Sequence, residues 1–373
     1  MGAHIIKVDP SGDYGEAVRK AGKVLREGGL VVFPTETVYG LAARADLPKA
    51  MARLRQIKGR DSQKAFTVHL ARRDEAQWYV DPVPGLAQRL IRKTWPGPLT
   101  IIVDVANPLA SAILVGRSES TSSAIFYENT VGIRCPDDAI AQELLKEADG
   151  PVVAASANRA GQPPPWTGDD VLHDLGSGYD VLIESGRTKY AQPSTIVHVH
   201  EGGYEFLRGG VLDAGTIERL SILRLLFVCT GNTCRSPMAA GLTRKMLAER
   251  FGGNPSSLEE RGIVVLSAGT SGGVGPASAG ALAVMARRGV DLSDHQSAAL
   301  KPELIHQSDY IFAMTQSHRD TVLSMSPLAE GRVRLLLDTG DVHDPMGSAE
   351  EVYERCAQTI EEGLKDRLRE IAI

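Results

Sequence analysis

Between Ile222 and Ile371 the chain alternates strand-like apolar runs with helix-like segments, and few folds tolerate that order. Strands are expected at 222–228, 263–267, 309–314 and 332–337, with helices at 237–250, 276–288, 316–326 and 348–371. Alternation of this kind predicts a doubly wound parallel sheet, which takes its ligands beyond the carboxyl ends of the strands. The first strand runs into Cys229-Thr-Gly-Asn-Thr-Cys-Arg-Ser-Pro237. Beyond it, Met238, Leu242 and Met246 recur at helical spacing, Pro237 suits the first helical position and Ser236 the N-cap. The loop therefore joins a strand to a helix N-terminus, where backbone N–H groups and the helix dipole attract anions. Cys229 brings a thiol into that field, which favours the nucleophilic thiolate. Arg235 brings a planar fork that matches phosphate oxygens.

At 373 residues the chain is too long for one ordinary domain, and two are expected, at 1–214 and 215–373. A net charge of −5 supplies no general basic field for nucleic acid, although a local patch is still compatible with it. No run of about 20 apolar residues is present to span a membrane, and the first residues show no apolar signal core. Four cysteines are too few for a disulfide framework. A reducing cytoplasm is the expected compartment.

The first two hundred residues carry polar groups at the ends of short apolar runs. Residues 14–27 have the spacing of an amphipathic helix, and Leu30–Phe33 is a strand that stops at Pro34. Then follows Pro34-Thr-Glu-Thr-Val-Tyr-Gly-Leu41, with hydroxyls, an acid and a phenol at a strand mouth. Lys58-Gly-Arg60-Asp-Ser-Gln-Lys64 reads either as a solvated loop or as a phosphate clamp. A strand at 66–70 carries His69, and Thr130-Val-Gly-Ile-Arg134 is a strand carrying an arginine. Residues 151–155 open onto Ser156-Ala-Asn158-Arg-Ala-Gly161, and the pattern of strand and flanking polar groups returns at Ser194-Thr-Ile-Val197 and Leu207-Arg-Gly-Gly210. No Walker-type loop is present.

Taken in order, PTETVYGL, Lys58 with Arg60, the His69 strand, WPGPLT, VGIRCP, SANRAG, STIV and LRGG resemble the YrdC-type threonylcarbamoyl-AMP synthases over residues 15–210. The resemblance implies a twisted α/β sheet with an open, positively charged concave face. It implies condensation of L-threonine, bicarbonate and ATP into threonylcarbamoyl-AMP and pyrophosphate, for modification of adenosine 37 in tRNA. By the same resemblance Thr35, His69, Arg134 and Ser194 line the threonine pocket. Lys58, Arg60, Ser62, Thr130, Ser156, Asn158 and Arg208 face ATP, with Mg²⁺ expected as its counter-ion. Ala65-Phe66 and Asp138 depart from the family's usual residues. The alternative reading of this half is a non-catalytic RNA-binding module.

The second half resembles the low-molecular-weight protein phosphatases through Cys-x5-Arg-Ser-Pro, Ser267-Ala-Gly-Thr270, Asp294-His-Gln296, Met314-Thr-x-x-His318 and Asp344-Pro345. Asp344 lies just before the last helix. There a carboxylic acid can protonate a leaving group and then activate water. Asp338 and Asp341 are rivals in the same loop, and the resemblance favours Asp344. It also implies that Ser236 hydrogen-bonds the thiolate, that Asn232 holds the loop's shape, and that Cys234 can form a protective disulfide. Cys356 falls on the apolar stripe Val352, Cys356, Ile360, Leu364 and reads as core. Tyrosine-directed members usually carry a bulky apolar residue at position 233 and aromatics after the Asp-Pro. Here Thr233 and Met346-Gly347 stand there, and the loop Cys229-Thr-Gly-Asn-Thr-Cys-Arg-Ser236 resembles that of the protein-arginine phosphatases. The expected whole is a bifunctional enzyme acting on a small-molecule set and on a phosphoprotein, with phosphotyrosine as the alternative substrate. Arsenate reduction is disfavoured, because only Cys356 remains as a further thiol in this half.

Overall fold

The computed structural model describes residues 4–59, 64–272 and 274–371. The chain divides into two compact units, Met1–Leu220 and Ser221–Ile373.

Eleven strands of the first unit form one mixed sheet among the described residues. In chain order they are β1 (His4–Lys7), β2 (Val31–Phe33), β3 (Gly40–Arg44), β4 (Thr67–His69), β5 (Leu99–Asp104), β6 (Phe126–Tyr127), β7 (Thr130–Arg134), β8 (Val152–Ser156), β9 (Val181–Glu184), β10 (Thr195–His200) and β11 (Gly203–Arg208). Across the sheet the order is β1-β9-β2-β3-β8-β4-β7-β5-β10-β11, with β6 on β7. The pairing of β4 with β7 is parallel and sets His69 beside Arg134. Alternate side chains enter two separate cores. Val32, Leu41 and Val153 join one, while Val31, Phe33 and Ala42 join the other, under the helices Gly15–Arg26 and Ala139–Glu147. Burial of both faces explains why these strands read as short unbroken apolar runs.

The break expected at residue 215 falls inside a helix, Ala214–Ser221. Its Ile217 is fully buried in the first unit's core, so this turn of chain stays with the first unit.

The second unit is a parallel sheet of β12 (Leu223–Cys229), β13 (Ile263–Gly269), β14 (Tyr310–Ala313) and β15 (Val333–Leu335), in the order β13-β12-β14-β15. Leu225 and Phe227 face a core closed by Met238, Ile360 and Leu364, whereas Leu226 and Val228 face Ile305 and Val322. The Phe227 ring stacks on Phe312 with centroids 5.4 Å apart. The main helices are Arg235–Arg250, Ala279–Arg287, Gln316–Met325 and Glu350–Glu370, joined by a short helix at Pro302–Gln307 that the alternation alone did not announce. Pro237 is not the first helical residue, nor is Ser236 the cap. The helix begins at Arg235, Cys234 holds the cap position, and no side chain caps it. The Ser236 hydroxyl is drawn instead towards the loop it follows.

Asp138 is a true cap: its Oδ1 accepts from Ala141 N at 2.9 Å at the start of the helix Ala139–Glu147. Burial raises its pKa to about 6, against the cap bonds. Between roughly pH 4 and 6 the folded state thus holds more protons than the unfolded one, and stability falls as pH rises through that window. Asp138→Asn keeps the cap and loses the charge. It is expected to stabilise the protein by about 1–3 kcal/mol at pH 7–8 and to change little near pH 3.5, as read from urea unfolding at both values.

Candidate active sites

In the first unit the loop between β2 and β3 folds onto itself before reaching across the sheet. Thr35 Oγ1 accepts from Thr37 N and Val38 N, both at 3.2 Å, and donates to Val38 O at 2.6 Å. This knot aims Glu36 and Thr37 at Arg134 of β7. Arg134 Nη2 lies 2.9 Å from Glu36 Oε1 and 2.7 Å from Thr37 Oγ1, and both charged side chains are almost wholly buried. Glu36 Oε2 and Arg134 Nε are also buried, with no hydrogen-bond partner among the described residues. His69 sits beside them with its Nδ1 3.1 Å from Thr67 O and its ring edge-on to Phe33. Burial, followed by the charge of Arg134, depresses its pKa to about 3. The imidazole is neutral at working pH, and the carbonyl contact places the proton on Nδ1.

A second basic residue faces the same region. Arg208 Nη2 donates to Ser194 O at 2.8 Å, and Ser194 Oγ pairs with Thr100 Oγ1 at 2.9 Å. Burial, with Arg134 as a neighbouring cation, lowers the pKa of Arg208 below the usual arginine range. Gly210 seals this corner: a Cβ there would lie 2.2 Å from Pro193 O.

Lys58, Ser156 and Asn158 form a separate cluster. Lys58 Nζ donates to Ser156 O at 2.8 Å and Asn158 Oδ1 at 3.1 Å, and also to Asn158 O. Asn158 Nδ2 in turn donates to Gln162 O, closing the turn after β8. Thr130 stands apart from both clusters in its bonding, since its hydroxyl donates to Tyr127 O at 2.7 Å within its own hairpin. Arg60 and Ser62 lie outside the described residues. The participant missed in sequence was Glu36. A lone acid between two threonines in an apolar stretch was the available signal, because such an acid needs a buried partner.

In the second unit the loop after β12 bends through Asn232, whose φ of +54° is left-handed, a conformation asparagine tolerates better than most side chains. Asn232 is fully buried and bonded on all sides. Its Nδ2 donates to Ser236 Oγ at 2.8 Å, its Oδ1 accepts from Ala298 N at 2.8 Å, and its carbonyl meets His295 Nε2 at 2.7 Å and Ser297 Oγ at 2.9 Å. Ser236 Oγ reaches Cys229 Sγ at 2.9 Å. β13 ends directly beneath, where a Cβ on Gly269 would come within 2.7 Å of Thr230 O.

Arg235 is buried beside this thiol. Its Nη2 donates to Asp344 Oδ2 at 2.5 Å and to Thr230 Oγ1 at 3.1 Å, and its Nη1 to Val342 O at 3.2 Å. The rival acids are committed elsewhere: Asp338 pairs with Arg367 at 2.7 Å, and Asp341 accepts from Gln316 N at 2.9 Å. Thr233 is half-buried in the loop, with its Oγ1 3.6 Å from Cys234 Sγ. The four cysteines are free and buried. Cys234 Sγ turns to Ser278 Oγ at 3.1 Å and Tyr353 OH at 3.7 Å, while Cys356 lies in the core against His343 O, its thiol pKa pushed up to about 12 by burial. Thr230, His295, Ser297 and His318 are the supporting residues that spacing alone did not single out, although Thr230, His295 and His318 lie in motifs already noted.

The loop at the end of the central parallel strand β12 thus carries a serine-bonded thiol and a carboxylate-tied arginine. The first unit is a mixed-sheet domain with a buried Arg134–Glu36 pair. Residues 23–210 match the Sua5, YciO and YrdC family model, described as Telomere recombination, and the chain belongs to that family. Residues 224–372 match the Low molecular weight phosphotyrosine protein phosphatase family and form a domain of it. The threonylcarbamoyl-AMP synthase of Pyrococcus abyssi is 32% identical over 203 residues, which are 54% of this chain and 56% of that protein. The Chromohalobacter salexigens threonylcarbamoyl-AMP synthase is 33% identical over 187 residues, 50% of this chain and 95% of its own. The chain thus spans little more than half the length of the first of these relatives. The structure of P. abyssi Sua5 complexed with L-threonine has a similar fold, with a TM-score of 0.51 at 21% identity, covering 96% of this chain and 98% of that one. No helix among the described residues is long and apolar enough to cross a membrane.

Glu36→Ala leaves Arg134 buried and unpaired. The expected cost is about 3–5 kcal/mol, measured by urea unfolding, and Glu36→Gln is expected to recover part of it through its remaining acceptor.

Proposed function

We propose that the chain is a bifunctional enzyme: a threonylcarbamoyl-AMP synthase followed by a cysteine phosphatase. The observation carrying the first half is the pair of unmet buried atoms at Glu36 and Arg134. A free carboxylate oxygen and a free guanidinium N–H suit the ammonium and carboxylate of an amino acid such as L-threonine, with neutral His69 and Thr35 completing the pocket. Lys58, Ser156 and Asn158, joined by Arg60, Ser62, Thr130 and Arg208, then face ATP. The threonine amine bonds to the bicarbonate carbon and water leaves; an oxygen of the resulting carbamate attacks the α-phosphorus, the bond from that phosphorus to the bridging oxygen of the β-phosphate breaks, and pyrophosphate leaves. Charge spreads over phosphate oxygens in that step, so fixed cations lower its barrier. An Mg²⁺ ion would be carried on the phosphates of ATP. The product would serve adenosine-37 modification of tRNA in the cytoplasm, where a tRNA or its modification complex is the partner.

The second half is carried by the contact of Cys229 with Ser236 beside the Arg235–Asp344 pair. Cys229 thiolate attacks phosphorus while Arg235 holds two phosphoryl oxygens, and Asp344 gives its proton to the departing group. Asp344, now ionised, takes a proton from water. The hydroxide so formed attacks the phosphocysteine, releasing phosphate and regenerating the thiolate. Thr233 supplies a hydroxyl where a phenol would want apolar contact, and Met346-Gly347 add no aromatic wall. We therefore assign a phosphoprotein substrate bearing phosphoarginine.

The full chain is expected to release pyrophosphate from ATP only with both threonine and bicarbonate, and Lys58→Ala to slow this about a hundredfold. Absence of threonine-dependent release from folded protein would leave the RNA-binding reading. Cys229→Ser is expected to abolish phosphatase activity without touching pyrophosphate release. Phosphoarginine peptides should outcompete phosphotyrosine peptides in kcat/KM, and Thr233→Ile should reverse that order. A wild-type preference for phosphotyrosine overturns the assignment.

A further inference from the structure

The segment Met314-Thr315-x-x-His318 has no part in the chemistry above, yet its histidine reaches the phosphate loop. Thr315 caps the helix Gln316–Met325, its Oγ1 accepting from His318 N at 3.3 Å. The same hydroxyl lies 2.8 Å from His318 Nδ1. On the far side of the ring, His318 Nε2 lies 2.9 Å from Thr230 Oγ1. Thr230 Oγ1 is the atom that receives Arg235 Nη2 at 3.1 Å. An unbroken chain therefore runs from the helix cap through the imidazole and the threonine hydroxyl to the guanidinium. Both neutral tautomers complete it, because each hydroxyl can donate where the ring accepts. Burial and the facing Arg235 hold the ring neutral, with a pKa of about 4; Asp344 and Asp341 act in the opposite direction but less strongly.

The chain matters because of what Asp344 must do. Nη2 of Arg235 bonds Asp344 and Thr230 alone among the described residues, and Nη1 bonds Val342 O. When Asp344 turns to a leaving group it releases Arg235, and Thr230 is the remaining side-chain contact on Nη2. A guanidinium fork that swings there loses its match to the phosphoryl oxygens.

Given the reading of this unit as a cysteine phosphatase, we infer that His318 is a positioning residue that acts through Thr230 to hold Arg235 in phosphate-binding geometry. It touches neither substrate nor thiol. Gln at 318 can extend an amide to the position of Nε2, whereas Leu fills the space without an acceptor or donor.

The test uses the full chain with para-nitrophenyl phosphate as substrate and inorganic phosphate as competing ligand. His318→Leu is expected to lower kcat/KM about 10- to 100-fold, since a misplacement near 1 Å costs that much, and to weaken phosphate inhibition in parallel. His318→Gln is expected to recover most of the loss. Thr230→Val should match His318→Leu, and the double variant should be no worse than Thr230→Val, because one chain is cut either way. Additive losses, a Gln variant as poor as Leu, or a fully active His318→Leu would each overturn the inference. Thermal melts separate lost folding from lost positioning, and the near-isosteric Thr230→Val with the Gln rescue decide the matter should the Leu variant not fold. Wild-type protein with no Cys229-dependent hydrolysis would instead overturn the phosphatase reading itself.

Discussion

Both units depend on one constraint: a guanidinium placed out of water has to be held by a carboxylate. Arg134 is held by Glu36, and Arg235 by Asp344. Removing an arginine from water costs several kcal/mol, which an anion recovers only when the geometry is good. The carboxylates come from loops, one between β2 and β3 and one before the last helix, whereas the arginines stand on a strand and a helix.

The two pairs differ in exposure, and the difference suits their chemistry. Glu36 is 1% exposed and locked by the turn around Thr35, which makes it a fixed part of a pocket. Asp344 is 46% exposed and bonded to little beyond Arg235 and Met346 N. The role proposed for Asp344, to release an arginine, donate a proton and recover one from water, needs that freedom. The supporting hydrogen bonds follow suit. Asn232, His295 and Ser297 immobilise the loop, and Thr230 holds the arginine from the side Asp344 leaves.

How far the sequence could be read differed between elements for definite reasons. The four strands and main helices of the second unit were legible because a two-faced parallel sheet demands long apolar runs at regular intervals. The boundary between the units was less so: Ala214–Ser221 looks like a linker until Ile217 is seen to fill the first core. Ser236 was expected to cap a helix from its residue type and position. The expectation failed because the thiol and the amide of Asn232 compete for its hydroxyl, and a side chain can satisfy only its nearest partners. The bond that the Thr130 hydroxyl donates to Tyr127 O within its own hairpin was not legible either. Glu36 and His318 were visible as letters inside noted motifs, yet without roles.

What the sequence determined by itself was local: which segments bury both faces, where a strand runs into a helix N-terminus, and that a thiol and a guanidinium sit six positions apart in one loop. These follow from periodicity and backbone geometry, which are encoded over a few residues. The tertiary structure decided the partners of charged groups. Glu36 and Arg134 are 98 positions apart, Arg235 and Asp344 109, and Thr230 and His318 88. Hydrogen bonds and ion pairs act over about 3 Å, and only the packed sheet brings such distant positions within that reach.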